Sequence, residues 1–172
     1  MAQMFANAVA YEEMMGRWSK RLAALFLDFA RIGDADKILD VGCGTGSLVQ
    51  SILDRTRRAQ IVGIDPAQAF IDYSRAHFPD ARVIFDCGSA LKLPYPDASF
   101  DHALSLLVFQ FLQQPGTAAS EMRRVTRTGG TVAACTWDKA GQEMSDLFWE
   151  ECVRLDPGAE EKAQRPKVCN QI

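Results

Sequence analysis

The run Lys37-Ile38-Leu39-Asp40-Val41-Gly42-Cys43-Gly44-Thr45-Gly46-Ser47 constrains this chain more than any other stretch. Ile38, Leu39 and Val41 form a short apolar segment, the pattern of a parallel strand covered on both faces. Three glycines at alternate positions follow, where a missing Cβ permits a tight turn and lets a ligand approach the main chain. Leu48, Val49, Ile52 and Leu53 then recur at helical spacing. Strand, glycine loop and helix make a nucleotide-type cradle. A dinucleotide fingerprint would place its third glycine one residue later, at the position held by Ser47. A P-loop would need Gly-Lys-Ser/Thr, which is absent here.

The rest of the chain alternates helix and strand signals. Tyr11, Met14, Met15, Trp18, Leu22, Leu25, Phe26 and Phe29 predict one amphipathic helix over 11–31. A second strand is expected at 60–65, ending in Asp65. Pro66 suits the first position of a helix reaching about Phe78. A third strand is expected at 82–87, a loop at 94–99 and a fourth strand over 103–109. Ala118, Ala119, Met122 and Val125 mark a helix ended by Gly129-Gly130. A fifth strand over 131–137 and a helix over 143–155 complete the series. This alternation predicts an α/β fold: a doubly wound, Rossmann-like, mostly parallel sheet with helices on both faces. Ligands of such sheets bind at the carboxyl ends of the strands, where strand order reverses.

At 172 residues, one main domain is expected over 11–156, between a flexible terminus at 1–10 and a polar tail at 157–172. The net charge of −3 and the lack of a basic block give no electrostatic footprint for nucleic acid or an anionic membrane. No apolar run approaches the ~20 residues of a membrane span, and a cytoplasmic location is expected. Five scattered cysteines without a Cys-x-x-Cys pair read as reduced thiols, with no metal site.

Four blocks carry a family resemblance. They are Met15-Gly16-Arg17-Trp18-Ser19, the segment 38–46, Gly88-Ser89-Ala90-Leu91-Lys92-Leu93-Pro94, and Glu121-Met122-Arg123-Arg124-Val125 with Gly129-Gly130. Together they resemble the class I S-adenosylmethionine-dependent methyltransferases, in the small-molecule branch similar to the quinone-biosynthesis enzymes. The likeness runs from Tyr11 to about Asp138. It implies S-adenosylmethionine as cofactor, with Gly42, Cys43, Gly44 and Gly46 around its methionine part. Asp65 matches the family's ribose ligand and, standing before Pro66, is also suited to cap a helix. The resemblance implies that Ser89 and Ala90 hold the adenine, although the family has an acid where Ser89 stands. Asp86 is a candidate to compensate. Asp40 is expected either to brace the loop or to face the cationic sulfur, with Ser105 and Leu106 beneath the amino-acid moiety. Tyr11, Met15 and Trp18 resemble an N-terminal lid. Substrate is expected near Tyr11, Trp18, Gln110 and Trp137.

The expected activity is transfer of a methyl group from S-adenosylmethionine to a small-molecule acceptor by SN2 displacement, without metal. His77 and His102 lie away from the strand carboxyl ends, so no general base is expected. A cofactor-binding but inactive domain is the alternative, and an NAD-dependent oxidoreductase a further one. The family fold continues into two more strands, and no apolar strand follows Trp137. The expectation is a sheet lacking its C-terminal edge strands, open there to self-association or to cover by another chain.

Overall fold

The computed structural model describes residues 8–137 and 150–155. The chain divides into two units, Met1–Thr136 and Trp137–Ile172. In the first, α1 (Ala8–Tyr11), a π-helical turn (Glu12–Gly16) and α2 (Arg17–Ala30) precede a regular alternation of strands and helices. The strands are β1 (Lys37–Val41), β2 (Gln60–Asp65), β3 (Val83–Cys87), β4 (Phe100–Leu106) and β5 (Thr126–Cys135). The helices are α3 (Ser47–Arg55), α4 (Gln68–His77) and α5 (Pro115–Val125). The sheet order is β3-β2-β1-β4-β5, and every neighbouring pair is parallel.

This order follows from burial on two faces. Successive strand side chains point to opposite sides. In β1, Ile38 joins one core with Phe26, Leu27, Ile52 and Ile71, whereas Leu39 and Val41 join the other with Met122, Val125 and Leu93. Ile38, Leu39 and Val41 are fully buried, each worth about 1.5–3 kcal/mol in removed apolar surface. The chain leaves β1 toward β2 and later returns to β4 on its other side. The reversal of strand order therefore lies between β1 and β4, where a crevice opens at the carboxyl ends.

Several elements depart from the sequence expectation. The helix expected over 11–31 is interrupted by the π turn, and within α2 the buried face lies about one residue away from the expected stripe. Ser19, Ala23, Phe26, Leu27 and Ala30 point inward, while Trp18 and Phe29 remain 49% and 75% exposed. β4 starts at Phe100 and ends at Leu106 rather than spanning 103–109. Leu107 has φ 60° and donates its N–H to the Cys135 carbonyl, so the chain leaves the strand there despite its apolar continuation. α4 begins at Gln68, two residues beyond Pro66, because Asp65 first forms a turn with Ala67. α5 ends at Val125, before Gly129-Gly130. Those glycines instead serve the irregular β4–β5 pairing between Phe100 and His102: a Cβ on Gly130 would lie 2.3 Å from the Asp101 carbonyl.

In the second unit, residues 150–155 are helical, and Arg154 pairs with Glu151. The remainder of the helix expected over 143–155, and the polar tail, lie outside the described residues. Among the described residues, no helix is long and apolar enough to cross a membrane.

Candidate functional site

The glycine loop is held from beneath by β2. The N–H groups of Gly42 and Cys43 both donate to the Ile64 carbonyl, at 2.7 and 3.1 Å. Gly44 N–H donates to Asp65 Oδ2 at 3.0 Å, and Ala67 N–H donates to Asp65 Oδ1 at 2.8 Å. One carboxylate thus joins the loops after β1 and β2. Asp65 is buried, and that burial raises its pKa above the ordinary value, opposed by the two N–H donors. The N-cap position of α4 belongs to Ala67, so Asp65 ties loops together rather than capping that helix directly.

Two of the glycines do different work. Gly44, at φ 52°, has no atom within 4 Å of where a Cβ would stand, so its main chain faces open space. Gly46, at φ 88°, is the N-cap of α3, and a Cβ there would lie 2.4 Å from the Phe78 ring. Gly46→Ala is therefore expected to lower stability by about 1–3 kcal/mol through strain and overpacking. Gly44→Ala, without a collision, should impair ligand binding more than stability. Thermal melts paired with ligand titrations separate the two.

Above the loop lies a cavity of 410 Å³. Gly42, Gly44, Asp65, Pro66, Ser89, Ala90 and Leu106, all expected near the cofactor, line it, and Tyr11 joins them from the N-terminal segment. Tyr11 packs on Phe70 with ring centroids 5.2 Å apart. Burial and the nearby Asp65 raise the pKa of its hydroxyl. A smaller cavity of 30 Å³ shares Tyr11, Gly42, Gly44 and Leu106 with the larger one and reaches down to Asp40.

Asp40 decides what ligand these cavities suit. It is 1% exposed, and neither carboxylate oxygen has a hydrogen-bond partner. Burial, and secondarily the charge of Asp65, push its pKa up to about 8. The expectation that Asp40 braces the loop is therefore overturned: the loop is braced by Ile64 and Asp65. A buried anion without a partner is costly unless a cation meets it. The residues present fit a ligand that is cationic at the β1 end and carries a sugar diol at the β2 end. S-adenosylmethionine has both features.

Other predicted residues lie elsewhere. Cys43 borders the smaller cavity, but its thiol packs in the core, where burial strongly raises its pKa. Ser105 is fully buried and donates to the Val41 carbonyl at 2.8 Å, fastening β4 to β1. Trp18 lies outside both cavities, with the Arg17 guanidinium 4.9 Å above its ring. Gln110 donates to the Leu107 carbonyl and accepts from Thr136, and does not line the cavity. Trp137 belongs to the second unit. Asp86 accepts the Tyr95 hydroxyl at 2.8 Å rather than reaching the cavity.

Sequence reasoning missed Phe70, Val108 and Phe111 in the cavity wall. It also missed a latch: Thr45 Oγ1 in the glycine loop donates to Glu12 Oε2 at 2.7 Å, and Glu12 pairs with Lys20 at 2.7 Å. The apolar run continuing past β4 was a usable signal for Val108. Nothing in the sequence pointed to Glu12.

A methyltransferase-domain family matches residues 39–134, more than half of the chain. The chain belongs to this methyltransferase family. Its parallel sheet and glycine loop are those of the class I S-adenosylmethionine-dependent methyltransferases, and S-adenosylmethionine is the cofactor. Among similar methyltransferases is the malonyl-[acyl-carrier protein] O-methyltransferase of Hahella chejuensis. It is 29% identical over 136 residues, covering 79% of this chain and 49% of that protein. The demethylmenaquinone methyltransferase of Deinococcus radiodurans is 35% identical over 139 residues, covering 74% of this chain and 56% of that protein. A solved S-adenosylmethionine-dependent methyltransferase from Aquifex aeolicus shares the fold. Its TM-score is 0.64 at 20% identity, over 70% of this chain and 66% of that one. This methyltransferase chain spans about half the length of the curated relatives it matches.

Proposed function

We propose that this domain moves the methyl group of S-adenosylmethionine to a small-molecule acceptor by direct SN2 displacement. The observation that carries the reading is the unpartnered Asp40 carboxylate under the glycine loop, beside the buried Asp65. When bound, S-adenosylmethionine supplies a methyl group on cationic sulfur, whose departure as a neutral thioether needs no Lewis acid. Asp40, on giving up the proton that burial holds to about pH 8, supplies the anion that draws the cofactor's charged amino-acid end downward. Asp65 has lone pairs left over from Gly44 and Ala67 to accept two sugar hydroxyls, at about 1.5–3 kcal/mol per charge-assisted bond. The Ala90 backbone reads the base. Tyr11 and Leu106 line both cavities, closing the methyl end and excluding water.

No general base is assigned. His77 stacks on Tyr73 at 3.8 Å, and His102 Nε2 contacts Asp36 at 2.7 Å, at the opposite end of the sheet. The main contribution of the protein is in-line positioning of acceptor and methyl group. A proton on the attacking atom, where the acceptor carries one, leaves to solvent; a carboxylate has none to lose. The substrate class follows the named relatives: a quinone precursor or an acyl carboxylate.

A thermal melt tests the proposal. S-adenosylhomocysteine at about 100 times its dissociation constant is expected to add ~2.7 kcal/mol of stability. NAD is expected to add nothing. The reverse pattern would make the domain an oxidoreductase. A clear shift without methyl transfer to either acceptor class would leave it a cofactor-binding domain.

A further inference from the structure

The order of the strands sets the order of chemistry along the cavity. Leu106 ends β4, the glycine loop follows β1, Asp65 ends β2, and Ser89 follows β3. Adjacent strands lie ~4.8 Å apart, so Leu106 and Ser89 mark ends about 14 Å apart. The anionic Asp40 belongs to the β1 position and Asp65 to the β2 position. If the cofactor's cationic end and its sugar occupy those two, its purine falls at the β3 end, against Ser89, Ala90 and Leu91.

The hydrogen-bonding groups at that end are unusual for reading an adenine amino group, which needs an acceptor. Ser89 Oγ already accepts the Leu91 N–H at 3.1 Å, which leaves its own hydrogen to donate and one lone pair to accept. The Asp86 carboxylate, three residues upstream, is taken by the Tyr95 hydroxyl at 2.8 Å and does not line the cavity. The Cys87 thiol points at the Pro66 carbonyl, 3.6 Å away. Gln113, on the cavity wall beyond β4, carries an amide that both donates and accepts and so serves either kind of substituent. Asp65 is the only carboxylate among the residues lining this cavity, and its position suits the sugar.

We propose that Ser89 leaves the purine 6-position unselected, so that the site accepts S-inosyl thioethers as well as S-adenosyl thioethers. A hydroxyl that donates meets a 6-oxo group at least as well as a 6-amino group. The inference rests on the cofactor reading above and deepens it. Ser89→Asp is the informative change. One oxygen of an aspartate can keep the Leu91 N–H, while the other offers an amino group a charged acceptor and, having no hydrogen to donate, repels a 6-oxo group.

The test is calorimetric titration of the full chain with S-adenosylhomocysteine and with S-inosylhomocysteine. The unsubstituted protein is expected to bind the two within fivefold of each other. Ser89→Asp should separate them by tenfold or more in favour of the adenosyl compound. A preference of the unsubstituted protein for S-adenosylhomocysteine above tenfold overturns the proposal without using any variant. So does an unchanged ratio in a Ser89→Asp protein whose ligand-free melt is normal. Binding of neither compound overturns the cofactor reading itself, and is thereby distinguished from binding of the adenosyl compound alone.

Discussion

Replacing Asp40 with asparagine is expected to stabilise the ligand-free protein at pH 8 and to weaken cofactor binding tenfold or more. The two effects have one cause. In the unfolded chain the Asp40 carboxyl ionises near its ordinary value of 3.8, whereas in the folded protein burial holds the proton until about pH 8. Between those limits the folded state carries more protons than the unfolded state, so stability falls as pH rises through the window. Below about pH 4 both states are protonated and Asp40 contributes no pH dependence. Above about pH 8 both are ionised and the full penalty applies. At about 1.4 kcal/mol per pH unit, its ceiling is on the order of 5 kcal/mol. An asparagine side chain carries no charge at any of these pH values, so melts of Asp40→Asn between pH 5 and pH 8.5 should lose this slope. Titration with S-adenosylhomocysteine reads the other half. In the unsubstituted protein, affinity should climb with pH until Asp40 is ionised, since the ligand's ammonium group prefers the anion. In the variant it should be weak and flat. A variant that binds normally would remove Asp40 from the site.

Asp65→Ala is the second large effect. Its carboxylate accepts N–H groups from Gly44 and Ala67 within the protein and, in the proposed complex, the sugar hydroxyls. Loss of the side chain is expected to weaken S-adenosylhomocysteine at least tenfold. It should also cost about 1–3 kcal/mol of stability, because two donors lose their acceptor in a buried place. Asp65→Asn retains one acceptor oxygen and should fall between the two. The variant carries a signature at a distance: Asp65 contributes to the raised pKa of Asp40, so without it the pH-dependent loss of stability should still begin at about pH 4 but end at a lower pH. An unchanged titration in Asp65→Ala would leave the residue as a brace between two loops and nothing more.

The central strands, the glycine loop and the acid at the end of β2 are legible in the sequence because burial on both faces leaves a continuous apolar record, as at Ile38, Leu39 and Val41. Hydrophobicity does not tell a strand from a cavity wall. Leu107 and Val108 are as apolar as β4 itself, yet they line the pocket beyond its end, which is why the apolar run places that strand three residues late. A glycine pattern likewise does not say which neighbour needs the space. Gly46 makes room for Phe78, an element far along the chain, rather than for ligand. The sequence does not decide between loop and ligand for Asp40, because hydrogen-bond partners are a property of the folded chain. Trp18 is misplaced for a different reason. The inward face of α2 runs through Ser19, Ala23, Phe26, Leu27 and Ala30, small and polar residues among them. The larger apolar side chains of Trp18, Leu25 and Phe29 therefore lie on the exposed side, a phase that the preceding π turn leaves untouched.

That wide turn also sets what lengths the N-terminal segment tolerates. Each residue of an α-helix advances about 100° around the axis. Deleting one residue between Glu12 and Gly16 would let the helix relax to ordinary pitch, locally a gain. It would also rotate everything upstream by roughly that angle, carrying Tyr11 off the cavity rim and Glu12 away from Thr45. The phase of the first helix relative to the sheet is thus fixed by a single surplus residue, and deletions should be far less acceptable there than most point replacements.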